Sequence, residues 1–369
     1  MRIAMLLGRS TGGIGTHVVE LTAALTARGH EVEVVTDPLT AESFDLGAAP
    51  VHLAWPRRRL GSGWRDLRTT REVLARADVV HAHGNQAGLL ALAARRAGAG
   101  GFPPVAVSWH NAVLPEARSR ALQLRSLGIV CRGAGLVTGA SSDLVEQARE
   151  LGASWAELAP VSSPRVPALL GRPSGDLAAR RAAGVALLGR LRVPSSRPLV
   201  VTVSRVAPQK DLGTAVRAAA LLDEEATWVV IGGGDDALLD RLEDEGERVG
   251  SPLRFVGPRD DVGDWLAAAG VFVLPSTWEA RSLAVQEAMA AGVPVVATRA
   301  GGLPDLVEGV GRLVPVGDPQ AVAEAVRGLL SDPDAWQRAS EQGRRRAAGW
   351  PAGDQVADMW VDWYSRLRG

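Results

Sequence analysis

Two α/β domains in tandem, each a parallel sheet with helices on both faces, are the fold class that this 369-residue chain predicts. Three observations predict it. Short apolar strands alternate with amphipathic helical stretches along almost the whole chain. The alternation runs twice, interrupted over residues 160–198 by a stretch rich in Pro, Ser, Gly and Arg. The halves also differ in charge. Residues 1–185 carry 21 Arg against 15 Asp plus Glu, and the remainder carries 20 basic against 26 acidic side chains. A basic half followed by an acidic half suggests two separate domains.

In the first half, residues 2–7 read as a strand, 12–15 as a turn and 16–28 as a helix with Val18, Leu21, Ala24 and Leu25 on its apolar face. A strand over 31–36, a helix over 66–77, a strand over 79–81 and a helix over 87–97 follow. Strands over 105–109 and 136–139 complete that set. The second half repeats the theme. Strands are expected at 199–203, 228–231, 253–256, 271–274 and 293–297, with helices at 213–222 and 283–291. These readings divide the chain into a first Rossmann-like domain over 1–170, a linker over 171–198 and a second over 199–350. The architecture expected is two such domains facing a central cleft.

Bulk properties exclude several function classes. The chain is 46% apolar and 22% charged, the composition of a soluble globular protein. Cys131 is the sole cysteine, so no intrachain disulfide can form and a reducing cytoplasm is expected. The apolar run over 3–7 is too short for a signal-peptide core, and no stretch approaches the ~18 apolar residues of a spanning helix. A net charge of zero argues against a general nucleic-acid binder.

Only one of the 41 basic residues is a lysine. Lys210 lies five residues beyond Arg205, which ends the apolar run starting at Leu199. A compact ammonium on a flexible stem reaches a phosphate as a point charge, while Arg offers a planar fork. A GC-rich coding bias with one surviving Lys would read the same way.

The segment from Leu274 to Ala297 is the richest in chemistry. Two carboxylates, Glu279 and Glu287, are separated by seven residues. On one continuous helix they would lie about 12 Å apart and about 80° around the axis, so they would span an elongated ligand rather than share a small one. The free N–H groups of a helix starting near Arg281 to Leu283 form a phosphate seat. A helix cap at Glu279 and a solvated surface charge at Glu287 are the plain alternatives.

This block resembles the retaining glycosyltransferases of the two-domain GT-B class, specifically glycosyltransferase family four, the group 1 glycosyl transferases. The resemblance rests on Glu279, on Glu287-Ala288-Met289-Ala290-Ala291-Gly292-Val293-Pro294-Val295-Val296-Ala297 and on Gly301-Gly302. It extends to Gly12-Gly13-Ile14-Gly15, His81-Ala82-His83-Gly84, Ser204-Arg205, Lys210, Gly232-Gly233-Gly234 and Phe255-Val256-Gly257, nearly the whole chain.

The resemblance implies transfer of a sugar from a UDP- or GDP-type nucleotide sugar to a hydroxyl acceptor, with no metal and no further cofactor. Arg205 and Lys210 would hold the diphosphate, Glu287 the ribose hydroxyls, and Glu279 would lie beside the donor sugar. Amides of Ser282 and Leu283 would close on the phosphates, with Val256 and Arg281 also lining the donor seat. Gly13 and Gly15 would let the first-domain backbone approach the donor. His110, in Ser108-Trp109-His110-Asn111, matches the family's active-site histidine, whereas His81 and His83 are weaker candidates. Relatives send the C-terminal helix, here within 351–369, back onto the first domain. Asp260-Asp261 and Asp332-Pro333-Asp334 precede helical stretches and read as caps rather than metal ligands.

The chain departs from the family pattern at Arg281-Ser282, at Asp305 in place of the usual Glu, and at Val161-Ser162-Ser163-Pro164. On the acceptor side, residues 55–65 combine four Arg with Trp55 and Trp64, and 115–125 add Arg118, Arg120 and Arg125 beside Leu122 and Leu124. Such side chains suit a peripheral contact with the inner face of a membrane, a solvated basic loop or an anionic soluble acceptor. Other function classes stay open at this stage. Gly13-Ile14-Gly15 and Asp37 fit a nicotinamide-dependent oxidoreductase, although Val18 occupies the third glycine position. A non-catalytic relative that binds nucleotide sugar, or a sugar epimerase, would use the same fold.

Overall fold

The structure is a computed structural model. It describes every residue except 11, 56–62, 99, 112–119, 194, 195 and 352, and no side chain at 63–66, 120 or 224. The chain divides into two compact units, Met1–Ser162 with Pro351–Gly369, and Ser163–Trp350.

The first unit holds seven parallel strands: β1 (Arg2–Leu7), β2 (Glu31–Val35), β3 (Val51–His52), β4 (Val79–His83), β5 (Val105–Trp109), β6 (Leu136–Gly139) and β7 (Ala156–Leu158). Their order is β3-β2-β1-β4-β5-β6-β7. Ile3, Met5 and Leu7 of β1 meet Val18, Leu21 and Leu25 of the helix Gly13–Ala27 in one buried cluster. Val356, Trp360 and Tyr364 of the helix Gly353–Arg368 complete that cluster, placing the C-terminal helix in the first unit. Arg28 pins it from outside, reaching Asp358 at 2.6 Å and Asp354 at 3.1 Å.

The second unit holds β8 (Leu199–Val203), β9 (Thr227–Ile231), β10 (Arg254–Phe255), β11 (Val271–Leu274), β12 (Val295–Thr298) and β13 (Arg312–Val314). Their order is β10-β9-β8-β11-β12-β13, again all parallel. Alternate residues of these strands feed cores on opposite faces. Leu199, Val201 and Phe272 join one, while Val200, Val271 and Val273 join the other. Burial on both faces explains why the strands read as continuous apolar runs.

Residues 171–198, expected as a linker, are built into the second unit. Asp176 accepts from the Ala179 N–H at 2.8 Å and starts a helix over Leu177–Arg190. On that helix Arg180 is buried and donates to the carbonyls of Leu266, Ala291 and Gly292. Proline and glycine there punctuate a packed helix rather than free chain. Among the described residues no helix is long and apolar enough to cross a membrane.

Candidate active site

In an open parallel sheet, ligands bind beyond the carboxyl ends of the strands where the strand order reverses. In the second unit that point lies between β8 and β11. Arg205 is two residues past the end of β8, exposed, and its guanidinium forms no ion pair or hydrogen bond among the described residues. The backbone beneath it is pinned to the loop after β9. Val206 donates to Gly233 O at 2.9 Å, and a Cβ at Gly232 or Gly234 would stand 2.0 Å from Ser204 O or 2.2 Å from Val206 O. Only glycine permits so close an approach of two backbones.

Lys210 ends a single 3-10 turn over Pro208–Lys210 and is largely buried. Its ammonium donates to Oε1 of Glu279, five residues beyond β11. Ser276 Oγ donates to that same oxygen at 2.7 Å. Gln209 ties the two loops together, its Nε2 on Trp278 O at 2.6 Å and its carbonyl accepting from Thr277 N at 2.9 Å. Glu279 is thus a buried, ion-paired carboxylate beyond the carboxyl end of β11, not a helix cap.

Ser282 is the cap: its Oγ accepts from Val285 N at 3.4 Å and opens the helix Leu283–Ala290. That helix follows β11 in the chain, as Glu279 does, and its first-turn N–H groups have no partner within the helix. Glu287 lies one turn on and is 6% exposed, so it is no surface charge. Ser163 Oγ donates to its Oε1 at 2.6 Å, and Arg165 Nη1 stands 3.5 Å from its Oε2. Arg281 lies over the Trp350 ring at 5.4 Å, its pKa lowered by burial and partly restored by Asp305. Val256 follows β10, donating to Val230 O at 3.0 Å, and is half-buried.

In the first unit the switch point lies between β1 and β4, and histidines gather there. His83 ends β4 and His110 follows β5, with His83 Nδ1 and His110 Nε2 3.2 Å apart. His17, on the helix after β1, packs its ring 5.3 Å from that of His110. His81 faces inward to the core instead, bonded at 2.7 Å to both Tyr364 Oη and Ser108 Oγ. It serves the docking of the C-terminal helix. Burial pushes the pKa of His17 down to about 4. Burial, then the neighbouring His17, pushes His110 to about 3, and His81 and His83 are also held well below their usual value. All four rings are therefore neutral at neutral pH.

A cavity of about 220 Å³ opens beside His83 and His110, lined also by Gly8, Trp55, Asn85 and Asn111. Asn85 Oδ1, Trp109 Nε1 and His83 Nε2 are buried around it without a partner among the described residues. Buried polar atoms left open in this way mark a place for a polar ligand or water.

Gly13 and Gly15, expected in a turn, lie inside the helix Gly13–Ala27, and a Cβ at Gly15 would meet the Phe44 ring at 2.2 Å. Glycine there makes room for Phe44. Asp332 caps its helix, accepting from Ala335 N at 2.9 Å. Asp261 stands at a cap position but gives its carboxylate to Arg259 and to the Trp265 ring N–H, at 3.1 and 3.2 Å. The basic stretches at 56–62 and 112–119 lie outside the described residues. Ser163 lies in the 161–164 departure from the family pattern, and Arg165, Ser276 and His17 enter the two candidate sites unannounced by any motif. Of these, only His17 carries a signal, as one of six histidines in the chain.

Residues 197–332 match the family "Glycosyl transferases group 1", and residues 12–164 match "Glycosyl transferase 4-like domain". A D-inositol 3-phosphate glycosyltransferase from Xylanimonas cellulosilytica is 30% identical over 96% of this chain and 92% of its own length. One from Streptomyces avermitilis is 29% identical over 96% and 83%. Among solved structures, Anabaena HepE in complex with UDP aligns with a TM-score of 0.84 at 21% identity, over 99% of this chain and all of that one. Sucrose-phosphate synthase from Thermosynechococcus elongatus aligns with a TM-score of 0.79 at 23% identity, over 100% and 99%. The chain belongs to the group 1 glycosyl transferases, glycosyltransferase family four, and has their GT-B fold.

Proposed function

We propose that this glycosyltransferase moves a sugar from a nucleotide diphosphate sugar to a hydroxyl acceptor with retention of anomeric configuration, without a metal ion or further cofactor. The observation that carries the reading is the meeting of Lys210, Glu279 and the start of the helix Leu283–Ala290 at the carboxyl ends of β8 and β11. A diphosphate there receives the exposed Arg205 guanidinium, the Lys210 ammonium and the amides of Ser282 and Leu283. These groups stabilise the charge that develops as the bond from the anomeric carbon to phosphate oxygen breaks. The diphosphate takes that electron pair. The acceptor oxygen then bonds to the anomeric carbon from the same face, and its proton leaves on the departing phosphate.

Glu287 accepts from the ribose hydroxyls through lone pairs left free by Ser163 and Arg165. Glu279 lies beside the donor sugar, and His110 is the first unit's neutral imidazole able to exchange a hydrogen bond with a sugar hydroxyl. Val256 and Arg281 line the donor seat. UDP is the first donor base to test, since HepE is crystallised with UDP. D-inositol 3-phosphate is the first acceptor, from the names of the relatives. A peripheral contact with an anionic membrane belongs to the same reading. It is supported by Leu122, Arg125 and Ile129, exposed on the helix Arg120–Gly133.

A thermal-shift titration with UDP-, GDP- and ADP-sugars and with NAD(H) tests the donor site. A ligand at about 100 times its dissociation constant should stabilise the fold by about 2.7 kcal/mol. The shift should appear with one nucleotide sugar and vanish in Lys210→Ala. Proton NMR of the product then reads the anomeric configuration. A shift with NAD(H) alone, or turnover that requires added metal, would overturn the reading. Binding without transfer to any acceptor would mark a non-catalytic relative.

A further inference from the structure

The geometry points to a transition-metal site of Zn²⁺ type in the first unit, made by His17, His83 and His110. The three rings come from three elements: the helix Gly13–Ala27, the end of β4 and the residue after β5. One ring nitrogen from each lies within 4.8 Å of the other two, and all three side chains are buried. His83 Nδ1 and His110 Nε2 stand 3.2 Å apart. Two imidazole nitrogens on one tetrahedral Zn²⁺, at about 2.0–2.1 Å from the metal, are about 3.3 Å apart. That pair is therefore already at ligand spacing, and only His17 has to close in. The second observation is independent of spacing. Among the described residues His17 Nε2 is buried with no hydrogen-bond partner. A burial this complete leaves it an open cost that a bound ion can remove.

The donor set selects the metal. Three imidazoles with no carboxylate among them suit Zn²⁺, Ni²⁺ or Cu²⁺, while Mg²⁺ and Ca²⁺ require oxygen ligands. Three protein ligands leave a fourth position, and the cavity lined by His83 and His110 gives solvent access to it. A metal held there takes up His110. On the function proposed above, capture and sugar transfer compete, so the ion acts as a brake rather than a cofactor. The metal site itself does not depend on that function.

The test uses the full chain purified without a histidine tag, stripped with chelator and titrated with ZnCl₂ by calorimetry. One Zn²⁺ per chain is expected. His17→Ala and His83→Ala should each weaken binding at least tenfold, and His52→Ala, beside Glu33 at another edge of the unit, should leave it unchanged. Co²⁺ added to the wild type should give the intense visible ligand-field bands of a tetrahedral nitrogen site, a readout that needs no variant to fold. The absence of both stoichiometric Zn²⁺ uptake and Co²⁺ bands would overturn the site. So would equal Zn²⁺ affinity in a folded His17→Ala/His83→Ala chain, or loss of uptake in His52→Ala alone.

Discussion

Ser163 Oγ donates a 2.6 Å hydrogen bond to Oε1 of Glu287, joining two residues 124 positions apart in the chain. Glu287 sits on the helix Leu283–Ala290 and Ser163 at the first residue of the second unit, so the bond ties the unit's entry to the helix proposed to bind the donor. It aims the carboxylate while leaving lone pairs for a ligand. Glu287→Ala should raise the dissociation constant of UDP roughly 10- to 100-fold, the value of about 1.5–3 kcal/mol for hydrogen bonds to a charged group. Ser163→Ala should raise it less, since it loosens the carboxylate without removing it. Calorimetric titration of UDP into both variants measures this. Equal affinity in wild type and Glu287→Ala would remove the ribose role.

Lys210 has two tasks in the proposed cycle, neutralising Glu279 in the free protein and meeting the diphosphate in the complex. Lys210→Ala should therefore do two separable things. It leaves the buried Glu279 carboxylate without its cation, costing about 1–3 kcal/mol of stability. It also should lower kcat/KM by roughly 10²- to 10³-fold, as loss of a group that stabilises developing charge does. Lys210→Ala/Glu279→Gln should recover the stability but not the activity. Denaturant melts and steady-state kinetics on the three proteins separate the two effects, and full recovery of both would show that Lys210 is structural only.

The fold and the donor half of the candidate site are legible in the sequence because their signals are local. Strands buried on both faces give unbroken apolar runs such as Leu199–Val203, and the block from Glu279 to Ala297 carries loop, cap, helix and turn in one stretch. What escaped depends on pairings across long separations. His81 meets Tyr364 over 283 residues, and Ser163 meets Glu287 over 124. Neither partner has a spacing that announces the other. The helix Leu177–Arg190 was hidden for a different reason: prolines and glycines before its Asp176 cap read as linker, while the Arg180 contacts that embed it are tertiary.

Gly301 takes a left-handed φ of +55°, and a Cβ there would stand 2.1 Å from Glu279 O and 2.6 Å from the Trp278 indole nitrogen. Gly302 N donates to that same Glu279 carbonyl at 2.7 Å. The glycine pair thus fixes the backbone from which the Glu279 side chain projects. Gly301→Ala must either move that carbonyl or distort φ, and each route costs on the order of 1–3 kcal/mol. Its melting temperature should fall by several degrees, and its kcat/KM should fall further than that of a surface Gly→Ala such as Gly328→Ala. Unchanged melting would show that the loop shifts freely.

The helix Arg120–Gly133 presents Leu122, 72% exposed, and Ile129, 46% exposed, in line with Arg125. Burying a leucine or isoleucine side chain is worth about 1.5–3 kcal/mol. Leu122→Glu/Ile129→Glu should therefore reduce pelleting with anionic phosphatidylserine vesicles at least tenfold, and neither protein should pellet with phosphatidylcholine alone. Equal pelleting of wild type and variant would exclude this face as the contact.

Glu20, on the helix Gly13–Ala27, has its pKa raised from 4.5 to about 7 because burial penalises the charged form. In the unfolded chain it ionises near its ordinary value. Between pH 4.5 and 7 the folded state holds a proton that the unfolded state has released, so this group's contribution to stability declines as pH rises through that window and levels off above it. Glu20→Gln removes the titration while preserving the shape. At pH 8 the variant should melt higher than wild type, and at pH 4.5 the two should melt together. A melting difference that is the same at both pH values would show that Glu20 is solvated and that its carboxyl ionises normally in the fold.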